Sequence, residues 1–323
     1  MSTEGGTRAV VAALLANTGI AITKFIAAGI SGSASMLAEG VHSLADSGNQ
    51  VLLLVGGRRS KKEADDEHPF GYGRERYVFA FVVSIILFSV GGMFSLYEGW
   101  HKIQEYLAGE HTDLNLPWIP LIVLAVAIVL ESLSLRTALI ETNKVRGEES
   151  LLSFIRHAKQ PELPVILLED LAALTGLVFA FAGVGLSLLT GDVIWDGIGT
   201  IAIGVLLVGV AVILGIETQS LLVGEGAGAR DVAAIRKAFV DHPKVEAIIH
   251  MKTLYLGPDE LMVAAKIAVP KTTKAAEIAK IINEVEVSVR EAVPVARVIY
   301  IEPDIYVAGS NTSTDAIVIQ GHD

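Results

Sequence analysis

Runs of Ala, Val, Leu, Ile and Gly dominate residues 8–57, 77–142 and 163–223, and polar residues collect in short clusters between them. A helix needs about 20 residues to cross about 30 Å of hydrocarbon. Six segments meet that length, at roughly 9–30, 34–57, 77–100, 116–140, 164–189 and 194–222. The first has no basic leader and no small-residue cleavage site, so it reads as a span and not as a signal peptide. After Gly224 the period changes. Residues 231–240 and 273–292 have helical spacing, whereas 245–255, 261–269 and 296–302 alternate like strands. Helix, two strands, helix, strand predicts a cytosolic ferredoxin-like α+β domain (αββαβ). The expected organisation is a six-helix transmembrane domain over 1–223, an α+β domain over 224–307 and a flexible Ser/Thr/Gly-rich tail over 308–323.

Loop charge sets the expected orientation. The 58–76 loop carries Arg58, Arg59, Lys61, Lys62, Arg74 and Arg76, and the 143–160 loop carries Lys144, Arg146, Arg156 and Lys159. The turns at 31–33, 101–115 and 190–193 together contain a single Lys or Arg, Lys102. Basic loops stay in the cytoplasm, so both termini are expected there, in a multi-pass protein of a plasma or inner membrane.

Composition agrees with the spans and removes several function classes. Of the 323 residues, 52% are hydrophobic and 19% charged, against about 45–50% and about 25% in soluble domains. There is no cysteine, which excludes thiolate metal sites and thiol nucleophiles. A net charge of −11 leaves no basic excess to displace counterions from nucleic acid. No enzyme motif is present: a metalloprotease would need a His-Glu-x-x-His ligand set.

The informative residues are ionisable groups inside spans, each costing at least about 2.5–3.5 kcal/mol at the bilayer centre. In the second span His42 and Asp46 lie four apart, one above the other on one helix face. An imidazole and a carboxylate so placed form half of a tetrahedral site for zinc or a similar divalent ion. Glu39, three before His42, lies near the same stripe. The other half must come from another span, and the fifth offers Glu169 and Asp170. Adjacent residues point about 100° apart, so Asp170 is the first choice and Glu169 the second. Glu169 has an alternative reading as the partner of Lys24 in the first span. Glu98, Glu131 and Asp196 have blander explanations as helix caps, interhelical partners or residues near the interface. Gly91, Gly92 and the glycines at 197, 199, 204 and 209 suit close helix packing.

The run from Gly32 through Met36, Glu39 and His42 to Asp46 resembles the second-helix signature of the cation diffusion facilitator family. His68-Pro69-Phe70-Gly71-Tyr72-Gly73-Arg74-Glu75 resembles the stretch that follows it. Leu168-Glu169-Asp170, with Asn49-Gln50, is similar to the zinc-transporter-nine-like branch. The resemblance implies a homodimeric secondary transporter in the lipid bilayer that exports a divalent metal ion, commonly by proton antiport. The metal is then transported substrate and no cofactor is permanently bound.

Departures from the pattern qualify the implied sites. The residue four before Asp170 is Ile166, which cannot ligate, so the site must recruit Glu169, Glu39, Asn49 or water. One imidazole among carboxylates is a harder set than two; zinc stays first, with manganese, iron or cobalt possible. The resemblance also implies a second metal position in the loop, weak here because Asp65 and His68 are joined by Tyr72 where a histidine is usual. In the cytosolic domain His250 stands at a ligand position, with Lys266 and Tyr300-Ile301-Glu302 departing from it. The alternative function is a metal-sensing or scaffold membrane protein whose transport site has degenerated.

Overall fold

A computed structural model of the chain describes residues 3–109, 116, 118–306 and 319–320, with side chains for 17–109, 116 and 118–306. Its chain forms two compact units, Met1–Arg58 with Tyr77–Gln219, and Arg59–Arg76 with Ser220–Asp323.

The first, helical unit is built on long helices. These are α1 (Thr3–Ser31), α2 (Ala34–Arg59), α3 (Glu75–Ile86) continued by a π-helical segment (Leu87–Met93) into α4 (Phe94–Leu107), α5 (Trp118–Arg146), α7 (Glu162–Thr190) and α8 (Ile194–Val223). A short α6 (Leu151–His157) precedes α7 and is capped by the Ser150 side chain, which accepts from the Ser153 amide. Among the described residues, Glu75–Leu107, Trp118–Arg146, Glu162–Thr190 and Ile194–Val223 are long and apolar enough to cross a membrane. The six spans expected from the sequence correspond to long helices; α2 is continuous, but Glu39, His42 and Asp46 break its apolar run.

The turn between α1 and α2 is local chemistry. Gly32 takes the left-handed conformation (φ 69°) that an L side chain resists. Ser33 then caps α2, its Oγ accepting from the Met36 amide at 3.1 Å. Small residues let the helices approach. A Cβ on Gly99 would lie 2.9 Å from the Gly197 carbonyl oxygen, and one on Gly204 would lie 2.7 Å from Leu96. The core between the helices is made by Met36, Val83, Leu87, Leu124, Leu177, Ile203, Leu207 and Leu214, all essentially fully buried.

In the second unit, α9 (Ala229–Val240), β1 (Ala247–Gly257), β2 (Glu260–Ala268), α10 (Ala275–Ala292) and β3 (Ala296–Asp304) follow the expected order. β1 and β2 form an antiparallel hairpin and β3 pairs parallel to β2. A fourth strand, β4 (Ile319–Gln320), pairs with Ala247 and Ile248, giving the order β3-β2-β1-β4. The rest of the tail expected to be flexible, 308–318 and 321–323, lies outside the described residues. Ile235 and Phe239 of α9 and Ile281, Val285 and Val289 of α10 pack with Ile248, Leu261, Val263 and Ile267.

The loop between α2 and α3 belongs to this second unit by its packing. Gly73 lies against the β1–β2 turn, where an added Cβ would meet the Leu256 carbonyl oxygen at 2.9 Å. Arg76 Nη1 pairs with Asp259 Oδ2 at 2.8 Å.

Candidate metal centre in the helical unit

Four residues of α2, spaced three to four apart, share one stripe: Glu39, His42 and Asn49 are buried and Asp46 is partly buried. His42 is 1% exposed and its Nδ1 lies 3.5 Å from Asp46 Oδ1. Neither ring nitrogen of His42 nor Asp46 Oδ1 has a hydrogen-bond partner among the described residues. A buried imidazole without partners forfeits the hydration of both nitrogens, so such an arrangement calls for an explanation such as an ion. The π-helical segment faces it: a Cβ on Gly91 would lie 3.9 Å from His42 Nδ1 and 3.3 Å from Leu207. Irregular turns of this kind recur at functional sites.

On α7 the two adjacent carboxylates diverge. Glu169 is buried and its Oε1 accepts a 2.7 Å hydrogen bond from Asn49 Nδ2, which joins α7 to α2. Asp170 Oδ2 instead accepts from Ser134 Oγ of α5 at 2.9 Å. The buried face of α7 runs through Val165, Glu169, Ala172, Ala173 and Gly176. Ile166, four before Asp170, is 37% exposed. The non-ligating Ile166 therefore lies off the buried stripe that carries Glu169. Asp46 interacts electrostatically with Glu169, Asp170 and Glu131, which gathers four carboxyl groups of α2, α5 and α7 in one region.

The side chains sit in pairs: His42 with Asp46, Glu169 with Asn49, Asp170 with Ser134. Among the described residues no three His, Asp or Glu side chains converge closely enough to hold a metal ion as they stand. Of the additional ligands expected from sequence, Asn49 gives its amide nitrogen to Glu169 and Glu39 gives Oε2 to Lys24; their remaining oxygens, Asn49 Oδ1 and Glu39 Oε1, have no hydrogen-bond partner among the described residues. The reading that Lys24 pairs with Glu169 is corrected here. Lys24 Nζ donates to Glu39 Oε2 at 2.9 Å and to Ser43 Oγ at 2.7 Å. Asp196 is a cap, one of the three plain readings given for it. Its carboxylate, from α8, accepts from the Ala34 amide at 2.6 Å, the Ser35 amide at 3.3 Å, Ser33 Oγ at 2.7 Å and the Ser35 hydroxyl.

Asp65, His68 and Tyr72 meet in the α2–α3 loop of the second unit. Asp65 Oδ1 accepts from the His68 amide at 2.8 Å, and Oδ2 accepts from Tyr72 OH at 2.8 Å and Lys62 Nζ at 2.9 Å. The Lys62 ammonium also donates to Tyr72 OH at 2.6 Å and lies 4.1 Å from the centre of that ring. The hydrogen bond from Lys62, then those from Tyr72 and the His68 amide, hold the Asp65 carboxyl well below the usual carboxylate range. Bonds to Tyr72 and then Asp65 push Lys62 up to about 12. In the α+β domain, His250 stands opposite Lys266 in the β1–β2 register, and Lys266 Nζ pairs with Glu302 and Asp304 at 3.1 Å each. A lysine ammonium therefore neutralises the carboxylates at both peripheral positions.

Residues 10–223 match the family model described as the cation efflux transmembrane domain, and 228–304 match the cation efflux protein cytoplasmic domain. A mitochondrial proton-coupled zinc antiporter of Xenopus laevis is 30% identical over 269 residues, 83% of this chain and 47% of that protein. Its Homo sapiens counterpart is 30% identical over 266 residues, 82% of this chain and 46% of that protein. The magnetosome protein MamM of Paramagnetospirillum magneticum is 29% identical over 130 residues, 40% of either chain. The chain spans about half the length of the zinc antiporters it matches.

Proposed function

The chain belongs to the cation efflux family, whose members are transporters and not enzymes, and we propose that it exports a divalent metal cation by secondary active transport. Zinc is the first cargo, with manganese, iron and cobalt as rivals for the same oxygen-rich site, and protons are the counter-ion. The zinc antiporters that resemble the chain support this reading. The observation that carries it is the buried His42 imidazole, neither nitrogen of which has a hydrogen-bond partner among the described residues, beside an Asp46 oxygen in the same condition.

In this reading six helices span a plasma or inner membrane with both termini cytoplasmic, and the ferredoxin-like domain pairs two copies of the chain. His42 and Asp46 of α2 receive the ion, and Glu169 and Asp170 close on it from α7. Bringing α7 towards α2 turns the observed pairs into a ligand set, which makes binding inseparable from a change in helix packing. Ligands must be deprotonated to bind a metal, so protons arriving from the far side compete for the same atoms and release the ion. The carboxylates neutralise the divalent charge, and a bound ion removes the cost of holding them unpaired in hydrocarbon.

The test is flux into proteoliposomes carrying a metal-sensitive dye, run over the four metals with and without a pH gradient. Zinc entry that follows the gradient and is lost in Asp46→Ala and Asp170→Ala is expected. Wild-type flux in both variants overturns the site. Tight zinc binding without flux favours the sensor or scaffold reading.

A further inference from the structure

Lys24 and Glu39 form a buried ion pair that the proposed chemistry leaves unused. Lys24 is 3% exposed and Glu39 is fully buried. The pair exists because α1 and α2 pack closely: a Cβ on Gly40 would lie 3.1 Å from the Phe25 ring, one residue from Lys24. That approach brings the ammonium onto Glu39 Oε2 and Ser43 Oγ, which flank His42 on α2. The second carboxylate oxygen, Glu39 Oε1, has no hydrogen-bond partner among the described residues. It points at α7, where a Cβ on Gly176 would come within 2.7 Å of it. Lys24 also acts electrostatically on Asp46.

A buried ion pair is weak evidence for stability, because desolvating both charges offsets their attraction. Here one carboxylate oxygen is also left bare, so the pair is poorly built as a structural cross-link. It is well built for exchange of one cation for another. We propose that Glu39 is a second station for the transported cation, one helical turn towards the α2 N-terminus from His42, and that the Lys24 ammonium is a tethered competitor the cation displaces. The ligand class is a divalent metal ion, met by both oxygens of Glu39 and the Ser43 hydroxyl. Displaced Lys24 returns when the ion leaves, which keeps Glu39 neutralised in every state and keeps the ion from being trapped there. This inference rests on the proposed transport reading and extends it by one residue pair.

The experiment is equilibrium dialysis of the full-length protein in detergent against radioactive zinc, paired with zinc flux in proteoliposomes. Lys24→Gln should retain an additional zinc ion per chain, bound at least ~10-fold more tightly than any second ion in wild type, because a cation a few ångströms away no longer opposes it. Its maximal flux should fall because release slows. In Lys24→Gln/Glu39→Gln the additional ion should vanish. That double variant leaves neither charge buried alone, so it also serves where the single variant does not fold. Its maximal flux should lie several-fold below wild type if Glu39 is a station, and wild-type flux in it overturns the inference. Wild-type stoichiometry and affinity in folded Lys24→Gln overturn it equally. His42→Ala separates the two readings. If it leaves wild-type zinc binding intact, the His42 site itself is wrong. If it abolishes that binding while Lys24→Gln gains nothing, only the Lys24 inference falls.

Discussion

Asn49 Nδ2 donates a 2.7 Å hydrogen bond to Glu169 Oε1, and this bond decides which of two adjacent carboxylates faces α2. The neighbouring Asp170 is turned to Ser134 on α5. Asn49 therefore orients a proposed ligand from outside the metal's own contacts. Losing such an orienting partner costs on the order of 10–100-fold in metal affinity. Asn49→Ala should weaken zinc binding by that amount in equilibrium dialysis, whereas Ser134→Ala, acting on the carboxylate further from α2, should weaken it less. A larger loss in Ser134→Ala than in Asn49→Ala would show that Asp170 and not Glu169 is the principal α7 ligand.

Asp196 should matter for stability and for the position of α2. Its carboxylate is fully buried and takes up two α2 amides and two serine hydroxyls. Losing a helix N-cap costs about 0.5–2 kcal/mol, and here the donors are also left buried without an acceptor. Asp196→Ala should lower the thermal midpoint of the detergent-solubilised protein by more than Glu98→Ala does. An unchanged midpoint would mean that solvent replaces the carboxylate at this end of the helix.

The elements were legible because their residues repeat with clear periods. Amphipathic spacing places the helices at 231–240 and 273–292 within one or two residues of Ala229–Val240 and Ala275–Ala292. Ionisable residues in apolar runs singled out His42, Asp46, Glu169 and Asp170. What the sequence left undetermined depends on how helices rotate against each other. The 166–170 spacing drew attention to Asp170, but the buried stripe of α7 runs through Val165 and Glu169. Lys24 had several carboxylates within plausible reach, and only the Gly40–Phe25 packing selects Glu39. The continuous hydrophobic run over 77–100 gives no sign of the π-helical segment at Leu87–Met93.

The Asp65–Lys62 pair predicts a pH window for the α2–α3 loop. Asp65 is depressed in the folded state, so its contribution is complete above the unfolded carboxyl range, about 3.9, and is lost as pH falls through the lower folded value. Lys62 is raised to about 12, so its contribution is complete below the unfolded value of about 10.4 and is lost as pH rises through about 12. Both groups stay charged between roughly pH 5 and 9. Intrinsic protection of the His68 amide against hydrogen exchange, corrected for the chemical rate, should be flat across that range and should drop in Lys62→Met. A change within that range would show that the Asp65–Lys62 pair does not hold the loop.

Gly73 should tolerate no side chain. It presses on the turn of the β1–β2 hairpin, and the reverse contact is as close, since a Cβ on Gly257 would lie 2.8 Å from the Gly73 Cα. Backbone faces backbone here, so no flexible side chain can move aside to make room. Overpacking of this kind costs typically about 1–3 kcal/mol. Gly73→Val should expose the loop 59–76 to limited proteolysis of the full chain, at Arg58, Arg59, Lys61 and Lys62, without altering the unfolding of the helical unit. Gly71→Ala separates strain from crowding. Gly71 holds φ 73°, but a Cβ there would meet nothing nearer than the Lys62 carbonyl oxygen at 4.0 Å. It should pay only for the left-handed backbone, about 1–2 kcal/mol, with the contact to the hairpin intact. Protection of the loop in Gly73→Val equal to wild type would show that Arg76 and Asp259 alone hold it to the β1–β2 turn.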